Sequence, residues 1–309
     1  MQLRSSLTTT TAVATALLTI GLGTLTAMPA SALPPAPSPS PTASATARPV
    51  VPVATRLDHT LGHSASSRLM TLQGTGLKAV TGVLVAGTPA VDFAVVDDHT
   101  LRFRIGTAPN FQAGTVSIAL TTVAGTVRTP LSFRFGVANK RDRQMQYAFK
   151  NWNLKSSKQF GYLPGNDCAN FTSQTLLARG WKESSAWYND GSSNGAANGR
   201  PVASGTWVSS TALSNWLATR KDLATKLLYR QRDQAVVGDI VQFNWDSKAN
   251  PGNVWLHTGV VSKVVVLPNG RHDVYYVAHT NNSQFGGSTE YFAHTMTKNL
   301  RIQFWHLKK

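Results

Sequence analysis

One cysteine stands among residues that favour a reactive thiol. The stretch "GNDCANFTSQTLLARG" (165–180) contains Cys168, the only cysteine in 309 residues. Asn166 or Asp167 as N-cap predicts a helix that begins here, and Gly180 predicts its end. A thiol in the first turn lies close to unpaired backbone N–H groups and the positive end of the helix dipole, which stabilise a thiolate and can hold an oxyanion. The alternative is a buried structural cysteine.

A nucleophilic thiol needs a base, and a histidine opens one of the strands predicted further along. Three strands are predicted: VVGDIVQFNW (236–245), WLHTGVVSKVVVL (255–267) and VYYVAHTNN (274–282). A turn near Pro268 to Gly270 makes the last two an antiparallel hairpin, so the start of one strand lies beside the end of the other. His257 then faces His279, Asn281 or Asn282, and the register is left open. A polar group there would orient the imidazole.

The first residues indicate where this chemistry takes place. "MQLR", the apolar run "AVATALLTIGLGTLTAM" and "PASA" predict a secretory signal over residues 1–32, cleaved after Ala32. A membrane anchor would need a longer and more apolar run, and no later stretch is apolar enough to span a bilayer. Because exported chains usually pair or lose their thiols, the unpaired Cys168 favours a functional role.

Residues 33–52, "LPPAPSPSPTASATARPVVP", predict an extended linker. The net charge is +16, with 21 Lys and Arg against 10 Asp and Glu from residue 140 onward. Such a surface either attracts polyanions, such as anionic wall polymers, or only aids solubility, and both readings stay open. The chain has no Lys/Arg block of the kind seen in nucleic-acid-binding arms, so we expect no nucleic-acid partner.

Short alternating runs separated by turn residues follow over residues 53–137 and predict an antiparallel β-sandwich. "LQGTGL", "VTGVLVAGTPAVDFAVVDDHTLRFRI" and a final "FRF" resemble the IPT/TIG family of immunoglobulin-like domains. His59, His63 and His99 have no regular metal-ligand spacing. This module is expected to act as a spacer or a binding domain and to carry no catalysis.

The texture changes near residue 140, where "NKRDRQMQYAFKNW" has helical spacing. All eight Trp residues lie between 152 and 305, which indicates a separate core. "DCANFTSQTLLARGW", followed by "GDIVQF", "HTGVV" and "YYVAHTNN", resembles the putative amidase domain family of the papain-like peptidase clan, relatives of CHAP and NlpC-type cell-wall hydrolases. The resemblance covers residues 145–306 and implies an α+β papain-like domain over 140–309, with a helix that carries the cysteine packed on an antiparallel sheet.

The resemblance implies that Cys168 is the nucleophile and His257 the general base. The third polar position falls on the returning strand, at His279 with Asn281 next in line. In the wider clan a polar side chain before the cysteine often assists the oxyanion hole, and Gln159 and Tyr162 are the candidates here.

Two tryptophans of the segment 185–207, Trp187 and Trp207, are interpreted either as a wall of the substrate cleft or as buried structural residues. Asn170, Ser173 and Gln174 are expected to serve helix packing.

The remaining polar residues are interpreted as structural. Asp239 follows a glycine at a turn, and His272, His294 and His306 are read as structural or solvated. A zinc site on Cys168, His257 and His279 is a rival interpretation, but no paired Cys or His-x-x-x-His spacing supports it. We therefore expect neither metal nor cofactor.

Together these features predict a secreted cysteine hydrolase that cleaves an amide bond in cell-wall peptidoglycan or a related wall peptide. Two alternatives are a catalytically inactive wall-binding protein and a transglutaminase-type acyl transferase. The sequence leaves the oligomeric state open.

Overall fold

The computed structural model describes residues 50–154, 159–190, 202–280, 283–286, 289 and 299–308. The predicted signal, 1–32, and most of the predicted linker, 33–52, lie outside these residues. Contacts group Arg48–Lys309 into one compact unit. No helix in the described ranges is long and apolar enough to cross a membrane.

Residues 53–136 form an all-β region. Its strands are β1 (Val53–Leu57), β2 (Leu61–His63), β3 (Arg68–Thr75), β4 (Val80–Val85), β5 (Thr88–Pro89), β6 (Val91–Val95), β7 (Thr100–Ile105), β8 (Gly114–Thr122) and β9 (Gly125–Gly136). One sheet has the order β1-β3-β7-β6 and the other the order β2-β9-β8-β4-β5. Met70 and Phe103 of the first sheet and Leu120 and Phe133 of the second belong to one buried cluster. The two sheets therefore pack face to face, as the alternating pattern predicts.

The sandwich is not wholly antiparallel, because β2 runs parallel to β9. The two strands are far apart in sequence, so a long connection allows the parallel pairing that a tight hairpin forbids. Turn signals between neighbouring strands could not reveal this pair.

Residues 140–307 form an α+β region. Its elements are α1 (Lys140–Asn151), α2 (Cys168–Arg179), α3 (Gly205–Val208), α4 (Ser210–Thr219), β10 (Ala224–Leu228), β11 (Ile240–Asn244), β12 (His257–Val266), β13 (His272–Ala278), β14 (Ser283–Gly286) and β15 (Arg301–Leu307). The strands pair antiparallel in one six-stranded sheet, ordered β10-β15-β11-β12-β13-β14. The three strands predicted after Cys168 correspond to β11, β12 and β13. An all-β region followed by an α+β region is therefore confirmed.

Helix α2 has the start and the end that its sequence predicts. Asp167 occupies the N-cap position, and Gly180 ends the helix at φ 103°, with its N–H directed at the carbonyls of Leu176 and Leu177. Glycine adopts this left-handed conformation without a steric penalty. The helix packs on the sheet through Phe171, which shares a buried cluster with residues of β12 and β13. This packing holds the first turn of α2 against the sheet.

The hairpin of β12 and β13 turns where it is predicted to, since Gly270 N–H donates to Leu267 O at 2.9 Å. A β-bulge between Val261 and Lys263 then shifts the register, and Val260 pairs with Val277. Continued back to the start of β12, this register puts position 280 opposite His257. That position lies between the two registers that the sequence left open, because the bulge takes up one residue.

The two regions share a core. Ala65 and Phe111 of the β region lie in one buried cluster with Met145, Ala148 and Phe149 of α1. The rings of Phe111 and Phe149 meet edge to face, with centroids 4.6 Å apart. The junction is thus packed like an interior.

A buried carboxylate reinforces this junction. Asp142, in the first turn of α1, accepts hydrogen bonds from His63 Nδ1 at 2.9 Å and from the N–H of Ala65 at 2.9 Å. It also accepts from the N–H groups of Ala138 and Asn139, each at 3.1 Å. One side chain therefore ties the sandwich, the connecting segment and α1 together.

Candidate functional site

Cys168 is the first residue of α2, and its side chain is buried, with 2% of the residue exposed. Its sulfur lies 3.5 Å from the hydroxyl of Ser210, the first residue of α4. The side chain of Asp167 makes no capping bond to the helix. Within the described part of the chain, the first-turn N–H groups of residues 168–170 therefore have no acceptor, as is usual for an uncapped helix start. These amides could hold an oxyanion beside the thiol.

His257 is the first residue of β12 and lies in an aromatic setting. The rings of Phe243 and Trp245 have centroids 6.1 Å from its ring, and Tyr276 lies edge-on at 5.7 Å. Burial lowers the pKa of His257 to about 4. The imidazole is consequently neutral at pH 7 and able to accept a proton.

Tyr276, which the sequence did not single out, contacts the ring of His257 edge to face. Burial, and after it the charge of Cys168, raises the pKa of Tyr276 to about 12. The phenol therefore stays neutral at pH 7.

His279 forms a buried pair with the residue before the cysteine. Its Nδ1 lies 2.6 Å from Asp167 Oδ2, and both side chains are at most 5% exposed. Its Nε2 donates to the carbonyl of Asn151 at 2.9 Å, and its ring stacks on Phe171 with centroids 4.0 Å apart. Both ring nitrogens are thus engaged, and neither is left to bond His257 or a metal ion.

The alternation of side chains along β13 explains the position of His279. Side chains alternate across a strand, so Tyr276 points towards His257 while Val277 and His279 point towards α2. The expectation that His279 orients His257 therefore does not match the observed contacts. Asn281 and Asn282, the other candidates for that position, lie outside the described residues.

Asp167 joins three parts of the chain and does not cap α2 with its side chain. Its Oδ1 accepts from the N–H of Leu163 and from the side-chain amide of Asn170, each at 2.9 Å. Its own N–H donates to Thr280 Oγ1 at 3.0 Å. The residue beside the thiol thus joins the preceding loop, α2 and the end of β13. Its position directly before the only cysteine was the available sequence signal.

The two candidate cleft tryptophans are fully buried, at 0% exposure. Trp207 Nε1 donates to Asn170 Oδ1 at 2.8 Å, and Trp187 Nε1 donates to Ser173 Oγ at 3.1 Å. Structural burial, the second of the two interpretations, therefore describes both, and they form no cleft wall. Asn170 and Ser173 serve packing, as expected. Residues 191–201 of the intervening segment lie outside the described residues.

Gln159 and Tyr162 line a cavity of about 360 Å³ on the side of the Asp167–His279 pair. In the same cavity wall, Tyr147 donates to Gln174 Oε1 at 2.8 Å. Burial, and then the charge of Asp167, raises the pKa of Tyr147 to about 12, so this phenol stays a neutral donor. The described contacts place Gln159 and Tyr162 beside His279, with no bond to Cys168.

Asp239 and His306 have structural partners. Asp239 accepts from the N–H groups of Val236 and Leu307, each at 3.0 Å, and from His306 Nδ1 at 3.0 Å. The hydrogen bond between His306 and Asp239 raises the pKa of His306. His272 is the first residue of β13, and His294 lies outside the described residues.

No group of three His, Cys, Asp or Glu in the described ranges is arranged to hold a metal ion.

A family model described as "Putative amidase domain" matches residues 138–305, more than half of the chain. The chain belongs to the putative amidase domain family. This membership indicates a hydrolase that acts on C–N bonds. The matched residues of the putative amidase domain contain α1, α2 and nearly all of the six-stranded sheet.

No curated protein matches the chain. Similar solved structures include the extracellular region of plexin A4, domains 1 to 8, at 16% identity over 28% of this chain and 9% of that chain, with a TM-score of 0.25. Another is the Bacteroides ovatus mixed-linkage glucan utilization protein SGBP-B in complex with a mixed-linkage heptasaccharide, at 21% identity, 25% of this chain, 20% of that chain and a TM-score of 0.20. The chain thus spans a fifth or less of either protein.

Proposed function

We propose that this protein is an exported cysteine amidase with a papain-like catalytic domain, which cleaves an amide bond in peptidoglycan or a related cell-wall peptide. Membership of the amidase family supports hydrolysis of a C–N bond. The observation that carries the cysteine mechanism is the free thiol of Cys168 in the first turn of α2, whose N-terminus has no side-chain cap. The predicted signal over residues 1–32 supports export, and the basic α+β region suits an anionic wall.

The proposed reaction begins with proton transfer. His257 is neutral at pH 7 and takes the proton of the Cys168 thiol as substrate arrives. The thiolate adds to the carbonyl carbon, a C–S bond forms, and the π electrons move to the oxygen. The uncapped N–H groups of the first turn of α2 would hold that oxyanion.

The second half restores the enzyme. The imidazolium of His257 gives its proton to the leaving nitrogen as the C–N bond breaks, and an amine departs. Water then adds to the thioester with His257 as base, and the carboxylic acid leaves as the thiol is regenerated.

In this scheme the Asp167–His279 pair positions the nucleophile. It ties the residue before Cys168 to β13 and to the end of α1 through buried hydrogen bonds. Asn281 and Asn282 are the candidates for the polar group that orients His257.

The decisive experiment is digestion of purified sacculi, followed by mass analysis of the released fragments. Wild type should generate new amine and carboxyl ends, and Cys168→Ala should generate none. Thr172→Ala is the matched control, because Thr172 is buried in the same helix and its hydroxyl has no partner among the described residues.

The alternatives predict different products. An acyl transferase would leave new cross-links, and an inactive wall-binding protein would leave identical fragments with wild type and Cys168→Ala. Fast alkylation of Cys168 by iodoacetamide at pH 6 would support an activated thiol. Identical fragment profiles for wild type and Cys168→Ala, together with slow alkylation, would end the hydrolase proposal.

A further inference from the structure

A cavity of about 390 Å³ lies at the junction of the two regions. It is lined by Ser66 of the sandwich, by Asn139, Lys140 and Arg141 at the start of α1, and by Arg179 at the end of α2. Three of these residues are cations and none is a carboxylate. We call it the basic cavity.

Arg179 is the unusual member of the basic cavity, because it is buried at 3% exposure and has only neutral partners. Its guanidinium donates to Gln144 Oε1 at 2.8 Å and to the carbonyl of Lys308 at 3.0 Å. Its Nε–H is buried without an acceptor in the described part of the chain, and so is the amide Nε2 of Gln144 beside it. Buried donors without acceptors are costly, so this position suits a ligand rich in acceptors.

The hydrogen-bond partners of Arg179 carry no negative charge that would neutralise it. Burial, and then the neighbouring charge of Arg141, lowers its pKa to about 10, against a smaller opposing influence of Asp239. The group nevertheless stays protonated at neutral pH. Two guanidinium groups that repel each other across a cavity form an attractive place for an anion.

The start of α1 adds further positive charge around the basic cavity. Lys140 and Arg141 occupy the first turn, where the helix dipole is already positive and cations are unfavourable. Neither side chain has a carboxylate partner in the described ranges. The two nearby acids are already saturated: Asp142 accepts four hydrogen bonds and Asp239 accepts three. An anion in the cavity would therefore gain from the dipole and from all three cations.

We propose that the basic cavity is a binding site for a phosphate group, as a free ion or as one unit of a phosphodiester wall polymer. Two guanidinium groups and an ammonium together can serve the several acceptor oxygens of a tetrahedral phosphate. The volume leaves room for ester substituents on the phosphate. Arg179 and Cys168 are at opposite ends of α2, about 16 Å apart along the helix. The site would hold a polymer away from the proposed catalytic thiol and does not depend on that proposal.

The test is calorimetric titration of the full chain with inorganic phosphate and, separately, with a poly(glycerol phosphate) chain. The double variant Lys140→Gln/Arg141→Gln should weaken both by at least about tenfold, the loss of one or more charge-assisted contacts. The matched control is Arg56→Gln/Arg128→Gln, which removes two exposed charges from the sandwich and should leave affinity within about twofold.

The variant of the basic cavity should fold normally, because removal of cations from a helix start is neutral or stabilising. Tighter binding of the polymer per phosphate would identify the polymer as the source, and equal binding would identify the free ion. Equal losses in the two double variants would show a diffuse effect of net charge and overturn the proposal. Absence of saturable phosphate binding by wild type would overturn it as well.

Discussion

The two regions fill their interiors in different ways. Among the described residues of the β region, Ser64 is the one buried polar side chain, and its core is built from residues such as Met70, Leu72 and Phe103. In the α+β region, polar side chains are buried along α2 and across the sheet. Buried polar groups cost stability unless they are hydrogen-bonded, so they indicate where position matters more than burial alone. The difference points to the α+β region as the place of chemistry.

One network of hydrogen-bonded polar side chains runs from the centre of the sheet towards Cys168. Gln242, in the middle of the sheet, accepts from Gln303 at 2.7 Å and from Trp305 Nε1 at 2.9 Å. Its own amide donates to the carbonyl of Ser210 at 2.8 Å, and the Ser210 hydroxyl lies beside the sulfur of Cys168. The position of the thiol is therefore supported from the sheet centre, whereas nothing comparable exists in the described sandwich.

The largest expected effect is the loss of activity in His257→Gln. Loss of the proposed base should lower kcat/KM by about 10⁴-fold, the upper end for general acid–base catalysis. The control is Thr258→Val, because the neighbouring hydroxyl is buried without a partner in the described ranges, and kcat/KM should be nearly unchanged. A similar loss in both variants would mean that the strand start is only structurally sensitive.

Core truncations in the two regions should separate stability from activity. Phe103→Ala and Trp187→Ala, both at fully buried positions, should each lower the free energy of unfolding by about 4 kcal/mol. At a temperature where both variants are folded, only Trp187→Ala should lower kcat/KM, because Trp187 donates to Ser173 of α2. An equal loss of activity in Phe103→Ala would break the contrast between the regions.

Acidic pH should lower the stability of the protein, because His257 is buried in its neutral form. Its pKa is lowered from 6.5 to about 4, so between these values the unfolded chain binds a proton that the native state does not. Stability therefore falls as pH drops from about 6.5 to about 4 and levels off below, by about 3 kcal/mol for this group. Denaturant unfolding of wild type and His257→Gln at pH 7 and pH 4 isolates the effect. A stability difference between the two proteins that is the same at both pH values would contradict it.

The smallest of these effects concerns the junction. Asp142→Asn removes the charge and part of the acceptor capacity of a carboxylate with four donors, and should cost about 2 kcal/mol. Because that carboxylate ties the sandwich to α1, calorimetry should change from one unfolding transition to two. His63→Gln, which alters one donor alone, should keep a single transition.

Local features were predictable from the sequence. Helix α2 begins at Cys168 and ends before Gly180, as predicted. The end follows from a left-handed glycine, which acts within a few residues, whereas the expected N-cap bond of Asp167 is not formed. The hairpin turn near Asn269 and Gly270 and the alternating strands of the sandwich follow from equally short-range rules.

Long-range features were not predictable in the same way. The bulge after Val261 lies in "VVSKVVV", which has no glycine or turn residue to announce it, and it decides which position faces His257. The pairing of Asp167 with His279 joins residues 112 positions apart and depends on which face of β13 meets α2. Burial of Trp187 and Trp207 depends on packing partners that no single segment contains.

The shared interior beneath α1 has a consequence for how the two regions are held together. A chain that began at residue 138 would leave Met145, Ala148 and Phe149 without the cover that Ala65 and Phe111 provide. Separating the sandwich from α1 would therefore expose apolar side chains of both regions to water. Because the described residues of both regions share this core, the orientation of α2 relative to the sandwich is fixed by packing.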